Sequence, residues 1–294
     1  MEIYIAEKCG LCKGCIRAIN KVKERLDQGK KVAIFKEIVH NKNVNLFLED
    51  LGAELVNDIG AIPQDSVAII RGHGEPPSTY EYFERNNIEY DDCTCPNVTN
   101  IHKCVEEYSA KGYIIVILGK FHKAMHPEIE GTIGWIKTKY YLVETQEDIY
   151  PLQQLNNQKV LIVCQTTFNM TKAKLLIDEI KEVLENKNCE VVVNESLCSA
   201  QKEINTSSKT LAESVDIMIV VGGKNSSNSQ ELYKHMASIR PSIFIENIAY
   251  YSIALQEADI TLTQNTKIGI TAGASTLKQE LVDLKALIEK DYNC

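Results

Sequence analysis

Short runs rich in Ile and Val recur along the whole chain, and stretches with a different period separate them. In these intervening stretches apolar side chains return every three or four residues, as at Ile16, Ile19 and Val22, with charged residues between them. The first pattern is typical of strands buried on both faces, and the second is typical of amphipathic helices. Their alternation predicts parallel α/β sheets. The predicted strands are residues 3–6, 32–35, 67–70, 88–90, 114–118, 159–163, 190–193, 217–221, 242–245 and 267–270.

Three of the predicted strands lead directly into glycine-rich polar loops. These loops contain Gly72-His73-Gly74, Gly119-Lys120 and residues 222–228. Loops at the carboxyl ends of parallel strands are where α/β proteins bind ligands. The pattern therefore predicts three comparable α/β units whose loops are directed to one place.

No segment rich in Pro, Gly or Ser separates these units, so we expect them to pack closely. Their predicted bounds are residues 13–96 for the first lobe, 97–194 for the second and 195–294 for the third. A strand from residues 1–12 is expected to complete the third lobe.

The chain has 294 residues and a net charge of −8, from 32 Lys and Arg against 40 Asp and Glu. A general basic field that would hold nucleic acid or an anionic membrane is therefore not expected, and an anionic ligand would need a local site. The amino terminus has no basic region before an apolar segment, and runs such as 114–118 are far too short to span a bilayer. We expect a cytoplasmic protein with neither nucleic acid nor membrane as a partner.

The ten cysteines of the chain would stay reduced in the cytoplasm, so several are available to bind a metal.

A dense cysteine cluster, Cys9-Gly10-Leu11-Cys12-Lys13-Gly14-Cys15, follows the first predicted strand and opens a helix. Three thiolates on a tight turn can converge on a metal, and a helix amino terminus favours their negative charge. The spacing by itself is compatible with zinc, with an iron–sulfur cluster, with redox-active thiols and with inert packing.

Two distant cysteines have a similar local setting. Cys95 and Cys198 each follow a predicted strand and precede a predicted helix. Together with Cys12 they place one thiolate in each α/β unit, which suggests three ligands that meet on a pseudo-threefold axis. Three ligands on a four-iron cluster would leave one iron open to act as a Lewis acid and electron donor.

Nine short motifs, in the same order along the chain, resemble those of one protein family. They are Gly10-Leu11-Cys12, Val39-His40-Asn41, Gly72-His73-Gly74, Thr94-Cys95-Pro96, His126-Pro127-Glu128, Gln165-Thr166-Thr167, Cys198, Lys224-Asn225-Ser226-Ser227-Asn228-Ser229 and Thr271-Ala272-Gly273-Ala274-Ser275. The family is that of the iron–sulfur 4-hydroxy-3-methylbut-2-enyl diphosphate reductases, also called LytB or IspH, which perform the last step of the non-mevalonate isoprenoid pathway. Because the motifs extend over nearly the whole chain, the protein is identified as a member of this superfamily.

The resemblance implies an α/β fold of three similar lobes, with small, mostly parallel sheets arranged around a central [4Fe-4S] cluster. The implied cluster ligands are Cys12, Cys95 and Cys198. The residues implied to surround a diphosphate group are His40, His73, His126, Ser226, Ser227, Asn228 and Ser275. Hydroxyl, amide and imidazole donors, with backbone N–H groups of the glycine-rich loops, can bind an anion even in an acidic protein.

The resemblance also implies a reaction and two catalytic residues. Glu128 would be the proton donor, and Thr166 would hydrogen-bond the substrate hydroxyl. A carboxyl group in a closed site can keep a raised pKa and so supply protons near neutral pH. The implied reaction is a two-electron reductive dehydroxylation of an allylic diphosphate to isopentenyl and dimethylallyl diphosphates, with ferredoxin or flavodoxin as the electron donor.

Several features depart from the family pattern, and most lie beside the expected cluster. Cys9 and Cys15 add thiols near Cys12, Cys93 precedes Cys95, and the loop 120–125 is longer than usual. Cys9 or Cys15 could supply a fourth ligand, bind a second centre or simply pack.

These departures keep two alternatives open. One is a paralogous iron–sulfur enzyme that reduces another small substrate. The other is a redox sensor or electron carrier whose cluster is closed by Cys9 or Cys15.

Overall fold

The computed structural model describes residues 1–39, 41–194, 198–224 and 226–292, in which strands and helices alternate. The strands are β1 (Glu2–Ile5), β2 (Lys31–Phe35), β3 (Glu54–Val56), β4 (Ser66–Ile70), β5 (Glu89–Asp92), β6 (Ile114–Leu118), β7 (Tyr140–Val143), β8 (Lys159–Cys164), β9 (Glu190–Asn194), β10 (Ile217–Val221), β11 (Ser242–Ile245) and β12 (Lys267–Ala272). The α-helices are α1 (Lys13–Asp27), α2 (Lys42–Asp50), α3 (Pro77–Arg85), α4 (Pro96–Ala110), α5 (Pro127–Ile133), α6 (Met170–Glu185), α7 (Ser199–Ala212), α8 (Ser227–Ala237), α9 (Tyr251–Glu257) and α10 (Lys278–Tyr292). Short 3-10 helices span Ile59–Ala61, Gln146–Gln154 and Ile248–Tyr250.

The described strands form three four-stranded sheets with the same topology. Their orders are β3-β2-β4-β5, β7-β6-β8-β9 and β11-β10-β12-β1. Strand pairing is parallel between β4 and both β2 and β5, between β8 and both β6 and β9, and between β10 and both β11 and β12. The prediction of three small, parallel α/β sheets is confirmed.

The third of these sheets is completed from the amino terminus of the chain. β1 pairs in parallel with β12, with Ile3 opposite Ile268 and Ile5 opposite Ile270. This is the strand that the sequence assigned to the third lobe.

The chain divides into two compact units. One contains 1–28, 37–55 and 199–294, and the other contains 29–36 and 56–198. The first unit contains the sheet of β10, β11, β12 and β1, and the second contains β2, β4, β5 and the sheet of β6–β9. The division does not separate three lobes, and the lobe bounds 13–96, 97–194 and 195–294 stay a prediction.

Alternating side chains of the β6–β9 sheet enter two separate cores. Val116 and Leu118 of β6 pack with α6, whereas Ile115 and Ile117 pack on the opposite side, in the core that receives α4 and α5. All four side chains are at most 2% exposed. Because full burial of such a side chain contributes about 1.5–3 kcal/mol, both faces stabilise the sheet, as a parallel sheet requires.

Two strands differ from the sequence expectation. β3 and β7 are short strands that the apolar-run criterion missed, since Glu54 and Tyr140 are exposed and neither segment has a run of Ile and Val. Such a strand is stabilised mainly by pairing with a buried neighbouring strand. The pattern of a single sequence does not show this pairing.

Within the described ranges, every helix is too short or too polar to traverse a lipid bilayer.

The turn between β4 and α3 depends on the glycine at its centre. Gly74 has a φ of +73°, and a Cβ there would lie 2.5 Å from Cε1 of His102 and 3.1 Å from Cγ2 of Thr94. Gly112 has a similar φ of +83° but open space around it. Substituting alanine at Gly112 therefore tests backbone strain alone, and substituting it at Gly74 tests backbone strain together with steric overlap.

We predict that Gly112→Ala destabilises the protein by about 1–2 kcal/mol, the cost of a left-handed backbone for an L-residue. Gly74→Ala should cost a further 1–3 kcal/mol or so, because the added methyl group overpacks a filled site. Thermal denaturation of the cluster-free protein measures both. Equal losses of stability in the two variants would contradict the steric argument.

Candidate functional site

A buried pair, the carboxyl group of Glu128 and the hydroxyl of Thr166, connects the first turn of α5 with the β8–α6 loop. Thr166 donates its backbone N–H to Oε1 of Glu128 over 2.6 Å and its hydroxyl to Oε2 over 2.7 Å. Glu128 is 2% exposed and Thr166 is 7% exposed. Both carboxyl oxygens are thus fixed by one neighbouring residue.

Burial raises the pKa of Glu128 to about 7, although the two hydrogen bonds from Thr166 act in the opposite direction. A carboxyl group with this pKa carries a proton for much of the time near neutral pH, and it can release that proton when a nearby group becomes more basic.

Two histidines predicted to bind the diphosphate lie side by side. The rings of His73 and His126 are 5.5 Å apart between centroids and cross at 76°. His126 caps helix α5 through Nδ1, which accepts the backbone N–H of Glu128 over 3.2 Å. In the neutral ring this bond assigns the proton to Nε2, so Nε2 is the atom that can donate to an anion.

The His73 turn and helix α5 are in close backbone contact. A Cβ at Gly131 of α5 would lie 3.0 Å from the carbonyl oxygen of Gly74, so any larger residue would crowd this approach. The contact explains how His73 comes to lie beside His126 although the two are far apart in sequence.

Cys95 and Cys198 are each tied by their backbone to a loop that carries another predicted site residue. The N–H of Cys95 donates to the carbonyl of Gly72 over 2.9 Å, and the N–H of Cys198 donates to the carbonyl of Thr166 over 2.8 Å. Cys95 is the N-cap residue of α4, with Pro96 at the first helical position, and Cys198 lies directly before α7. Both thiols belong to half-buried residues.

Cys12 belongs to the other compact unit and occupies the N-cap position of α1. Its Sγ lies 3.4 Å from Sγ of Cys15. The hydrogen bond with Cys15, aided by nearby backbone N–H groups, lowers the pKa of Cys12 to about 6 against the opposing effect of burial. Cys12 is therefore suited to bind a metal as a thiolate.

Cys9 is oriented differently from Cys12. Its Sγ lies 3.0 Å from the carbonyl oxygen of Ala6, and the residue packs against the core of the β10–β12 sheet. Burial raises the pKa of the Cys9 thiol. These contacts favour the packing interpretation for Cys9.

The loop that carries Cys12 lies against the loop that carries Ser275. The N–H of Leu11 donates to the carbonyl of Thr276 over 2.9 Å, and Gly10, with a φ of +75°, leaves no room for a Cβ beside that carbonyl. Oγ of Ser275 is buried and has no hydrogen-bond partner within the described ranges. An orphaned buried hydroxyl beside a predicted ligand loop fits a group that accepts or donates a hydrogen bond there.

The Ser226–Asn228 loop begins helix α8. The Ser226 hydroxyl oxygen accepts the N–H of Ser229, and the Ser229 side chain packs against Gly222 and Gly273 at the ends of β10 and β12. Asn228 lies in the first turn of α8. His40 and the side chain of Ser227 lie outside the described residues, so their predicted roles stay predictions.

Within neither unit do three described His, Cys, Asp or Glu side chains come together as a metal site. The donor set nevertheless fits an iron–sulfur cluster, because Cys12, Cys95 and Cys198 each lie directly before a helix, where backbone N–H groups favour a thiolate.

One buried charge cluster was not anticipated from the sequence. Glu75, 2% exposed, pairs with Nε of Arg71 at 3.4 Å and with Nζ of Lys36 at 3.0 Å. Arg71 and Glu75 flank the turn that contains His73, so this ion cluster braces that turn. The sequence contains one sign of this cluster, because Arg71 is a charged residue directly after a buried strand.

The loop 120–125, expected from the sequence to be longer than usual, closes on itself. The N–H of His126 donates to the carbonyl of Lys120 over 3.2 Å, and Oε2 of Glu144 accepts the N–H groups of Phe121 and His122. Nε2 of His122 lies 2.9 Å from Oδ1 of Asp148. The loop is thus anchored to the segment after β7.

Comparison with known proteins gives a consistent result. The family model described as LytB protein matches residues 3–288. The 4-hydroxy-3-methylbut-2-enyl diphosphate reductase of Clostridioides difficile (strain 630) is 35% identical over 278 residues, which is 94% of this chain and 95% of that protein. The protein of the same name from Caldanaerobacter subterraneus subsp. tengcongensis is 34% identical over 305 residues and covers both chains fully.

Solved structures agree with the sequence comparison. A structure of (E)-4-hydroxy-3-methyl-but-2-enyl diphosphate reductase, described as the terminal enzyme of the non-mevalonate pathway, superposes with a TM-score of 0.77 at 31% identity, covering 99% of this chain and 100% of that one. The E-1-hydroxy-2-methyl-but-2-enyl-4-diphosphate reductase from Plasmodium falciparum gives a TM-score of 0.80 at 28% identity, covering 98% of this chain and 88% of the other. With a family match over 3–288 and relatives matched along nearly their whole length, the chain belongs to the LytB family, as its motifs indicated.

Proposed function

We propose that this protein reduces 4-hydroxy-3-methylbut-2-enyl diphosphate to isopentenyl and dimethylallyl diphosphates. The observation that carries the proposal is the buried Glu128–Thr166 pair, whose Thr166 carbonyl also holds the backbone of Cys198. A proton donor, a hydroxyl and a predicted cluster ligand are thereby joined in one network. Family membership supports the same reaction.

A [4Fe-4S] cluster held by Cys12, Cys95 and Cys198 would supply electrons one at a time and an open iron as a Lewis acid for the substrate hydroxyl. The remaining chemistry falls to protein side chains. Replacing the hydroxyl by hydrogen consumes two electrons and two protons and releases water.

Two observations support Glu128 as the proton donor of this reaction. Its carboxyl group is protonated for much of the time near pH 7, and its Oε2 lies 2.7 Å from the Thr166 hydroxyl. Thr166 can hold the substrate hydroxyl and pass a proton from Glu128 to it. Because both residues are buried, bulk water does not compete for that proton.

The diphosphate would be held by donors from several loops. In one unit these are His73 and His126, with Nε2 of His126 as the donating atom. In the other unit they are Ser226, Ser227, Asn228 and Ser275, and His40 would join them. Ser275 supports this role because its buried hydroxyl makes no hydrogen bond among the described residues.

Electrons would come from a small one-electron carrier, ferredoxin or flavodoxin, and the protein would act in the cytoplasm. The alternative sensor or carrier function needs a fourth cysteine ligand. Cys9 packs against Ala6 and a hydrophobic core, which does not favour it as that ligand.

The decisive experiment is anaerobic reconstitution followed by assay with the diphosphate substrate and a chemical reductant. We expect isopentenyl and dimethylallyl diphosphates as products, and Mössbauer spectra with one iron site that shifts when substrate is added. The proposal would be overturned if no product formed and the Mössbauer spectra showed four equivalent, cysteine-ligated irons that do not change when substrate is added.

We predict that Cys12→Ser, Cys95→Ser and Cys198→Ser each lose the visible absorbance and iron content of the cluster, since a serine hydroxyl is a poor ligand for these irons. Cys104→Ser is the matched control, because Cys104 lies on the helix whose N-cap residue is Cys95. Any one of the three variants with a normal cluster would refute the three-ligand assignment.

We predict that Glu128→Gln lowers kcat by roughly 10²–10⁴-fold, the usual value of a positioned proton donor, and leaves the cluster intact. In the unmodified protein the rate should be full below pH 7 and decline as pH rises through the pKa of about 7, because the protonated form acts. Glu130→Gln, an exposed change on the same helix, is the control and should have no effect. Unchanged turnover in Glu128→Gln would end this assignment.

We predict that His126→Asn raises KM for the diphosphate about tenfold or more, because a hydrogen bond to a charged group contributes about 1.5–3 kcal/mol. Asparagine can keep the N-cap bond to Glu128 but removes the Nε2 donor. The thermal midpoint should therefore stay near that of the unmodified protein. The exposed His235→Asn serves as control, and an unchanged KM in His126→Asn would contradict diphosphate binding by this ring.

A further inference from the structure

Cys15 is a cysteine that the proposed function does not use. It is the third residue of helix α1, and Cys12 is the N-cap residue of the same helix. The side chain of an N-cap residue characteristically turns towards the third helical residue. This geometry brings the two sulfur atoms together, 3.4 Å apart.

We propose that Cys12 and Cys15 form a reversible disulfide when the cluster is absent, so that cluster assembly requires reduction of this bond. The inference rests on the proposed function in one respect, the role of Cys12 as a cluster ligand. The disulfide itself rests only on the geometry of α1.

Little movement is needed to form the bond. A disulfide has an S–S length of about 2.05 Å, so the two sulfurs have to approach by about 1.4 Å. The first turn of α1, closed by the bond from the N–H of Ile16 to the carbonyl of Cys12, is already in place. Both cysteines are half-buried rather than fully buried, so a small oxidant can reach them.

The chemistry balances with a low-molecular-weight disulfide as oxidant. One thiolate attacks glutathione disulfide and releases one glutathione, and the second cysteine then displaces the other glutathione. Two protein thiols lose two protons and two electrons, and one glutathione disulfide becomes two glutathione thiols. A dithiol reductant reverses both steps.

The consequence for cluster assembly follows from ligand chemistry. Cysteine binds a metal through its thiolate, and a sulfur atom in a disulfide cannot form a thiolate. The oxidised chain would therefore keep Cys95 and Cys198 but lack Cys12. The same bond would protect Cys12 from oxidation to sulfinic and sulfonic acids, which is irreversible for most proteins.

Trypsin offers a direct measurement. It cleaves after Lys8, Lys13 and Arg17, so the two cysteines leave on separate peptides, 9–13 and 14–17. The cluster-free protein is equilibrated in a glutathione buffer with the reduced form in excess, so that the intramolecular disulfide is favoured over mixed disulfides. Free thiols are then alkylated, and the digest is analysed by mass spectrometry without reduction.

We expect peptides 9–13 and 14–17 to be linked in the unmodified protein and in Cys9→Ala, and separate in Cys15→Ser. Cys9→Ala is the matched control, because its peptide 9–13 contains Cys12 alone and the link is then unambiguous. Iron uptake from the same buffer should be several-fold lower than after treatment with dithiothreitol in the unmodified protein. In Cys15→Ser the two values should be equal.

Separate peptides in the unmodified protein, or equal sensitivity of iron uptake in Cys15→Ser, would overturn the inference. Reduced Cys12→Ser distinguishes this failure from failure of the proposed function. If it loses the cluster while no link forms in the unmodified protein, only the disulfide is wrong. If it binds the cluster normally, the ligand assignment is wrong, and control of assembly by this disulfide is overturned with it.

Discussion

Parallel pairing within each small sheet is the constraint on which the rest of the structure depends. Each strand must be followed by a crossover that returns along the outside of the sheet, so the loops leaving the strands emerge at the carboxyl edge. In all three described sheets the order of strands is the same, with β1 taking the place of the fourth strand in the last one. The predicted site residues lie on these loops and at the starts of the helices that follow them, because this topology brings polar segments and helix amino termini to the carboxyl edge of each sheet.

A second level of order comes from hydrogen bonds between loops. Cys95 and Gly72 are joined by their backbones, as are Cys198 and Thr166, and Thr166 in turn fixes both oxygens of Glu128. The predicted site residues Cys95, Cys198 and Glu128 are thus each held by a backbone group of another loop.

The sequence predicted the strands, the parallel class and the local settings of Cys12, Cys95 and Cys198, because each depends on patterns within about twenty residues. It did not predict β3 and β7, which are held by pairing with a neighbour. Nor could it predict that Thr166 bonds to Glu128 or that Lys36 joins Arg71 and Glu75, since these contacts join distant parts of the chain. The closeness of Cys15 to Cys12 could be predicted only in part. The sequence shows their spacing of three residues, but it does not show that the Cys12 side chain turns towards Cys15.

The loop 120–125 is held in place by its own hydrogen bonds next to the helix that begins with Pro127 and Glu128. The bond between His126 and Lys120 closes the loop at its base, and Glu144 and His122 fasten it to the segment after β7. Natural selection could therefore lengthen and vary this segment while His126 and Glu128 kept their places. A loop closed in this way offers a piece of surface on which new partners or regulation can evolve independently of the chemistry.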